Sequence, residues 1–157
     1  TKILASLIMT KKWPPWYDFL ILMFQKEVAN RIIAKTHTKE FGRLSILANW
    51  RLEIKKHFDV SKNCFSPKPK IDSTVLSFEP KTYDKFKINN PKNLETVTRI
   101  LFSNPRKMVN KSLLKLFNKK ISYIKKLNVN LHLRPKEICN ETYYKITSKY
   151  ENYLSNS

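Results

Sequence analysis

Hydrophobic and polar positions follow different rules in the two halves of this chain. In the first half, short apolar segments change period. Ile3, Leu4, Leu7 and Ile8 share one helical face, and Trp13-Pro14-Pro15 predicts an end to that helix near Lys11-Lys12, because proline cannot continue it. Phe19-Leu20-Ile21-Leu22-Met23-Phe24 is apolar at every position. A strand covered on both faces in a parallel α/β sheet reads this way, and so does a buried helix segment; shortness and the nearby prolines favour the strand. From Gln25 to Lys35 the period becomes helical, pairing Val28 with Ile32 and Ala29 with Ile33 while Lys26, Asn30 and Lys35 face solvent. Helix, strand, helix is an α/β rhythm.

After a turn over Thr36 to Gly42, Leu44, Leu47 and Ala48 predict a short helix, and Glu53 to Val60 a strand with more polar than apolar positions. Phe65-Ser66-Pro67-Lys68-Pro69-Lys70 is predicted irregular and semi-rigid, since each proline fixes its own φ and biases its predecessor towards extended backbone. Thr74, Leu76 and Phe78 alternate as a final strand before Pro80. Lys81 to Lys92 reads as a linker.

Beyond Asn93 the pattern is helical throughout. Leu94, Val97, Ile100 and Leu101 form one stripe, and Pro105 is placed to start a further helix capped by Ser103 or Asn104. On that helix Met108, Leu113, Leu116 and Phe117 are expected to face a core, with Lys107, Lys111 and Lys115 recurring at i, i+4 and i+8 on the outer face. Arg134-Pro135 introduces one or two last helices, with Ile138, Tyr143, Tyr144, Ile146 and Leu154 as packing residues. The organisation read from the chain is an α/β part over 1–80, a linker over 81–92 and a basic helical part over 93–157.

Charge sharpens this picture. The 157 residues carry a formal charge of +19, so a polyanion, either nucleic acid or an anionic membrane, is the expected partner. Residues 1–80 hold 14 Lys and Arg against 7 acids, whereas 81–157 hold 17 against 5, which makes the helical part the more basic. No acid interrupts the chain between Arg106 and Lys126. A lysine stripe is often only a solvated face, but one this free of acids is suited to phosphates. A membrane-coating role would need an amphipathic helix with exposed aromatics, and the sequence offers none that convinces.

Cys64 and Cys139 are far apart, without a CxxC pair or a histidine at ligand spacing, and read as reduced thiols in a cytoplasmic protein without a metal. His37, His57 and His132 sit in unrelated contexts. No apolar run approaches the roughly 20 residues of a membrane span. Gly42 is the single glycine, so the chain cannot contain a phosphate-cradling or dinucleotide loop. It also begins at Thr1, directly in a helical pattern, which leads us to expect an upstream part.

Three segments in order then become informative: Gln25-Lys26-Glu27-Val28-Ala29-Asn30-Arg31, Phe41-Gly42-Arg43-Leu44-Ser45, and Phe65-Ser66-Pro67-Lys68-Pro69-Lys70-Ile71-Asp72-Ser73. Together they resemble the small-subunit ribosomal RNA adenine dimethyltransferases over essentially the whole chain. The resemblance implies the C-terminal part of a doubly wound, Rossmann-like methyltransferase sheet followed by a small all-α domain. It implies an enzyme that uses S-adenosylmethionine to dimethylate two adjacent adenines near the 3′ end of small-subunit RNA. Its partner would be the immature small ribosomal subunit, and it would act as a monomer when full-length.

The family's glycine-rich cofactor loop, acidic ribose-binding residue and Asn-Leu-Pro-Tyr catalytic motif would all lie upstream of Thr1. This chain is therefore expected to hold no catalytic or cofactor residue and to be inactive alone. In similar enzymes the aromatic that opens the Phe-x-Pro-x-Pro-Lys segment stacks on the flipped target adenine, which here implies Phe65; from the residues alone a hydrophobic plug under the proline loop is the stronger reading. Lys68 and Lys70 are candidates for the neighbouring phosphates or for keeping the loop solvated. Phe102-Ser103-Asn104-Pro105-Arg106-Lys107 is similar to a family segment with consecutive arginines before the lysine, one of which is replaced here by Pro105. Arg106, Lys107, Lys111 and Lys115 are the RNA-contact candidates.

Two other readings remain. The dimethyltransferases of large-subunit RNA share a Pro-Lys-Pro-Lys loop, but the Gln25 to Arg31 and Phe41 to Ser45 segments argue against them. A non-enzymatic RNA-binding or ribosome-assembly protein on the same fold is the alternative of a different class. The upstream coding sequence separates it from an enzyme.

Overall fold

A computed structural model describes residues 2–10, 12–82 and 85–156. The elements run α1 (Lys2–Ile8), β1 (Leu20–Gln25), α2 (Lys26–Ile33), α3 (Arg43–Arg51), β2 (Leu52–Val60), β3 (Ser73–Pro80), α4 (Pro91–Leu101), α5 (Asn110–Leu116), α6 (Ile121–Lys125) and α7 (Asn140–Ser155). Short 3-10 turns cover Lys62–Cys64 and Pro135–Glu137. The strands form one sheet in the order β1-β3-β2, with β3 antiparallel to both neighbours.

The neighbour that this chain itself supplies to the apolar strand, β3, is antiparallel. The proline-rich loop from β2 to β3 reverses the chain direction, and β3 returns antiparallel between β1 and β2. Leu20, Leu22 and Phe24 pack on the core, Phe24 edge-on to Phe78 with ring centroids 6.0 Å apart. Ile21 and Met23 point the other way and are 64% and 52% exposed. Among the described residues, only the Leu20, Leu22 and Phe24 face of β1 is packed.

α1 stops at Ile8, a few residues before the Trp-Pro-Pro stop, and Lys11 lies outside the described residues. Leu4 and Ile8 are buried, but Ile3, expected on the same face, is exposed. The end of α1 is held by a residue that periodicity does not single out. Arg51 Nη1 donates to the carbonyls of Ile8 (3.1 Å) and Thr10 (2.6 Å). Its guanidinium lies 4.8 Å from the ring centre of Trp13 and 3.9 Å from that of Trp50. Orphan carbonyls at a helix C-terminus favour a cation, and two indole faces favour it again.

α2 buries Ala29 and Ile32, and α3 buries Ile46, Ala48 and Trp50. At the start of α3 the Gly42 N–H donates to Ser45 Oγ at 3.2 Å, and the same hydroxyl donates to the Gly42 carbonyl at 2.8 Å. Gly42 itself has φ −174°, which any residue adopts, and a Cβ there would find its nearest neighbour 4.0 Å away. Neither strain nor space demands the only glycine in the chain.

The segment expected to be a linker is pinned at both ends. The Lys81 N–H donates to the Arg51 carbonyl (2.7 Å), its carbonyl accepts the Trp13 indole N–H (2.7 Å), and its ammonium donates to the Asn49 carbonyl (2.8 Å). At the other end Ile88 is buried and Asn90 caps α4 by accepting the Lys92 N–H at 3.1 Å, with Pro91 at the first helical position. α4 then buries Leu94, Val97 and Leu101 against α7. On α7, the Tyr143 hydroxyl donates to the Pro135 carbonyl at 2.7 Å and Tyr144 reaches the Ile46 carbonyl of α3 at 2.9 Å. Burial pushes the Tyr143 hydroxyl far above its ordinary pKa, so it stays a neutral donor. Phe117, Tyr123, Tyr150 and Tyr153 form an aromatic cluster under α5. Leu154, expected to pack, is exposed instead.

Candidate nucleic-acid interface

The proline-rich loop between β2 and β3 is closed by its own residues. The Asp72 carboxylate accepts the Lys62 N–H at 2.9 Å, and the Asp72 carbonyl accepts the Lys26 N–H at 3.0 Å. The loop's end is thereby tied to its beginning and to the first turn of α2. Beneath it Asp59 is the electrostatic anchor: Thr74 Oγ1 donates to it at 2.7 Å, and Lys56 and Lys26 approach at 2.9 and 3.0 Å. The Thr74 hydroxyl above all, then the two ammonium groups, hold the Asp59 carboxyl well below the usual carboxylate range. Asp59 in turn raises the pKa of Lys26.

On this braced loop Phe65 is half-buried in extended backbone and contributes neither to the packed core nor to a ring–ring contact among the described residues. Lys68 and Lys70 are both exposed. Lys70 lines a shallow cavity of about 340 Å3 with Lys26, Lys62 and Asp72, while Lys68 lies outside it.

The basic residues of the helical part do not form the single stripe expected. No helix starts at Pro105: residues 102–109 form turns, with the Lys107 N–H donating to the Asn104 carbonyl at 3.0 Å, and α5 begins only at Asn110. Val109, whose N–H is taken by the Leu133 carbonyl at 2.9 Å, fills the core position expected of Met108, which is exposed. Lys107 therefore leaves the helical stripe. Lys111 and Lys115 remain together and, with Lys119, rim a groove of about 590 Å3 floored by Leu114 and Ile121. Arg106 turns to a separate cavity of about 420 Å3, where it meets Lys39, Arg134 and Lys136. Periodicity could not find that grouping, because it joins three remote segments. A cruder signal was available: from Thr96 to Lys136 the chain carries no Asp or Glu and eleven Lys or Arg. Among the described residues no group of His, Cys, Asp and Glu could hold a metal ion, and no helix is long and apolar enough to cross a membrane.

A small α/β sheet with a braced proline loop is thus joined to a basic helical part. The sequence profile of the ribosomal RNA adenine dimethylases matches residues 5–152, and the chain belongs to that family. It is 44% identical, over 96% of its length, to the ribosomal RNA small subunit methyltransferase A of Pelagibacter ubique (strain HTCC1062), of which it spans 57%. It is 45% identical over 72% of its length to the protein of the same name from Rhodopseudomonas palustris (strain BisA53), spanning 39% of that protein.

Among solved structures, a dimethyladenosine transferase from Plasmodium falciparum superposes with a TM-score of 0.78 at 20% identity, covering 98% of this chain and 64% of that one. The 23S rRNA methyltransferase ErmE gives 0.58 at 16% identity, covering 88% and 57%. These likenesses show the fold: the C-terminal part of a doubly wound methyltransferase sheet followed by helices.

Proposed function

We propose that this chain is the RNA-recognising part of an S-adenosylmethionine-dependent enzyme that dimethylates two adjacent adenines near the 3′ end of small-subunit ribosomal RNA. The observation that carries this reading is the family match over residues 5–152. The names of the two bacterial relatives support small-subunit over large-subunit RNA.

An adenine amine must leave the base stack before it can be methylated, and an aromatic face on a fixed loop can hold the extruded base. Phe65 has the exposure for that task, and the Asp72 and Asp59 contacts supply the rigidity. Lys68 and Lys70 meet the phosphates flanking the flipped base, while Arg106, Lys107, Lys111 and Lys115 contact RNA further away. Residues 1–80 and 93–157 divide these tasks, joined by 81–92. The protein acts as a cytoplasmic monomer on the immature small subunit, without a metal.

The described residues do not fit the methyl donor. Its family site needs a glycine-rich turn, whereas the one glycine here opens a helix in ordinary extended backbone, and Asp59 is already engaged by Lys26 and Lys56. The donor site and the catalytic motif therefore belong to the share of the relatives that this chain does not span.

The test joins the chain to its native upstream sequence and follows labelled methyl transfer from S-adenosylmethionine to immature small subunits. Dimethylated adenines are the expected product. RNA binding with no methyl transfer by the intact protein would instead favour the ribosome-assembly reading.

A further inference from the structure

The groove of about 590 Å3 between α5 and α6 combines two chemistries: an apolar floor of Leu114 and Ile121, and a rim of Lys111, Lys115 and Lys119. Ile121 is 57% exposed and takes no part in the packed core, and Leu114 packs on that core only in part. Concave apolar surface rimmed by polar groups marks a binding site more often than a bare surface. None of the three lysines makes an ion pair among the described residues.

The groove is formed before anything binds, because backbone contacts fix the turn that joins its two walls. The Lys119 N–H donates to the Leu114 carbonyl at 2.7 Å, and the Lys120 N–H to the Phe117 carbonyl at 2.9 Å. The Asn118 amide donates to the Tyr153 hydroxyl at 3.0 Å, which ties the turn to α7. Asn118 and Lys119 both take left-handed backbone, at φ 46° and 62°, and so swing the chain from α5 into α6. An occupant therefore meets a floor that needs little ordering.

The occupant must be anionic at its edges and apolar in its middle. A phosphodiester chain uses the lysines and leaves Leu114 and Ile121 uncovered. A flat lipid surface does not enter a concave groove. A second copy of this chain is repelled by its own charge of +19. An amphipathic protein helix satisfies both demands, since its apolar stripe fills such grooves while flanking carboxylates face the rim. From Lys111 to Lys119 the rim is about two helical turns long, which suits acids one turn apart on the partner.

We propose that the α5–α6 groove docks a short acidic amphipathic helix of another protein, with Leu or a similar side chain inserted over Leu114 and Ile121 and carboxylates paired with Lys111, Lys115 and Lys119. This goes beyond the ribosomal RNA reading and does not depend on it. Lys111 and Lys115 are shared with that reading, so helix and RNA exclude each other at these two residues.

The test measures fluorescence anisotropy of the full-length protein with a labelled synthetic helical peptide that carries leucines at i, i+3 and i+7 and glutamates on both flanks. A second peptide keeps the glutamates and replaces the leucines by serines. The leucine peptide should bind, and the serine peptide should bind at least about 10-fold more weakly. I121N alters an exposed side chain outside the core, so it should fold normally, weaken the leucine peptide about 10-fold and leave affinity for small-subunit RNA unchanged. K115Q should weaken the leucine peptide by about 2- to 5-fold, as expected of a rim charge. No binding of the leucine peptide, equal binding of the two peptides, or wild-type peptide affinity in I121N would overturn the proposal. A loss of RNA affinity in I121N as large as its loss of peptide affinity would make the groove an RNA site and overturn it as well.

Discussion

The carboxylate of Glu151, on the last helix, accepts the backbone N–H of Asn90 at 2.8 Å, immediately before the first turn of α4. It also takes the Asn89 N–H and the Asn93 side-chain amide, both at 2.9 Å, and is nearly buried. A buried anion with three donors at a helix N-terminus is well compensated. Glu151→Ala strands those donors and should cost about 2–3 kcal/mol, with Glu151→Gln losing less because an amide oxygen still accepts. Urea unfolding of the full-length protein measures both; an unchanged midpoint in the alanine variant would refute this role.

Arg51 should be irreplaceable by lysine. Lys keeps a charge but lacks the planar fork that both donates to the end of α1 and lies over two indoles. Arg51→Lys is expected to lower stability by about 1–2 kcal/mol and Arg51→Met by more, read as a fall in thermal midpoint. Equal stability of the lysine variant and the wild type would contradict this.

Asp59 sets an acid limit. Its folded-state pKa lies below the ordinary carboxylate value of 3.8, so its contribution is present above that value and is lost as pH falls through the folded pKa. The wild type should lose stability progressively below about pH 4, and Asp59→Asn should start lower at neutral pH but fall less steeply in acid. Denaturation midpoints from pH 7 to 3 provide the comparison, and parallel pH curves would exclude Asp59 as the source.

Phe65 should matter to catalysis and little to folding. A lost base–aromatic stack is worth about 1–3 kcal/mol, so Phe65→Ala should reduce methyl transfer by the full-length enzyme roughly 5- to 150-fold. Phe65→Trp should retain most activity. Because the ring lies outside the packed core, the alanine variant should unfold within about 0.5 kcal/mol of the wild type. Substantial destabilisation with normal methyl transfer would favour the hydrophobic plug.

Much of the architecture is local and was therefore legible in order and type. The run at 19–24 overlaps β1, the helical period from Gln25 to Lys35 overlaps α2 with a residue or two to spare at each end, the alternation at 74–78 falls in β3, and the stripe Leu94, Val97, Ile100 and Leu101 falls in α4. What the pattern did not tell was direction: β3 runs antiparallel between β1 and β2, and among the described residues Ile21 and Met23 face away from the core. Apolar sequence states that burial is favourable, not which neighbour supplies it. The delayed start of α5 has a similar origin, since Val109 docks on the Leu133 carbonyl, a contact that turns, not a helix from Pro105, deliver.

By itself, then, the sequence determined the succession of elements, the excess of positive charge and the motif loop that carries Phe65, because each follows from residues adjacent in the chain. Only the tertiary structure decided which charges act together. Lys39, Arg106 and Arg134 are separated by up to 95 positions, and they become neighbours because three turns are held by backbone hydrogen bonds that no local period encodes.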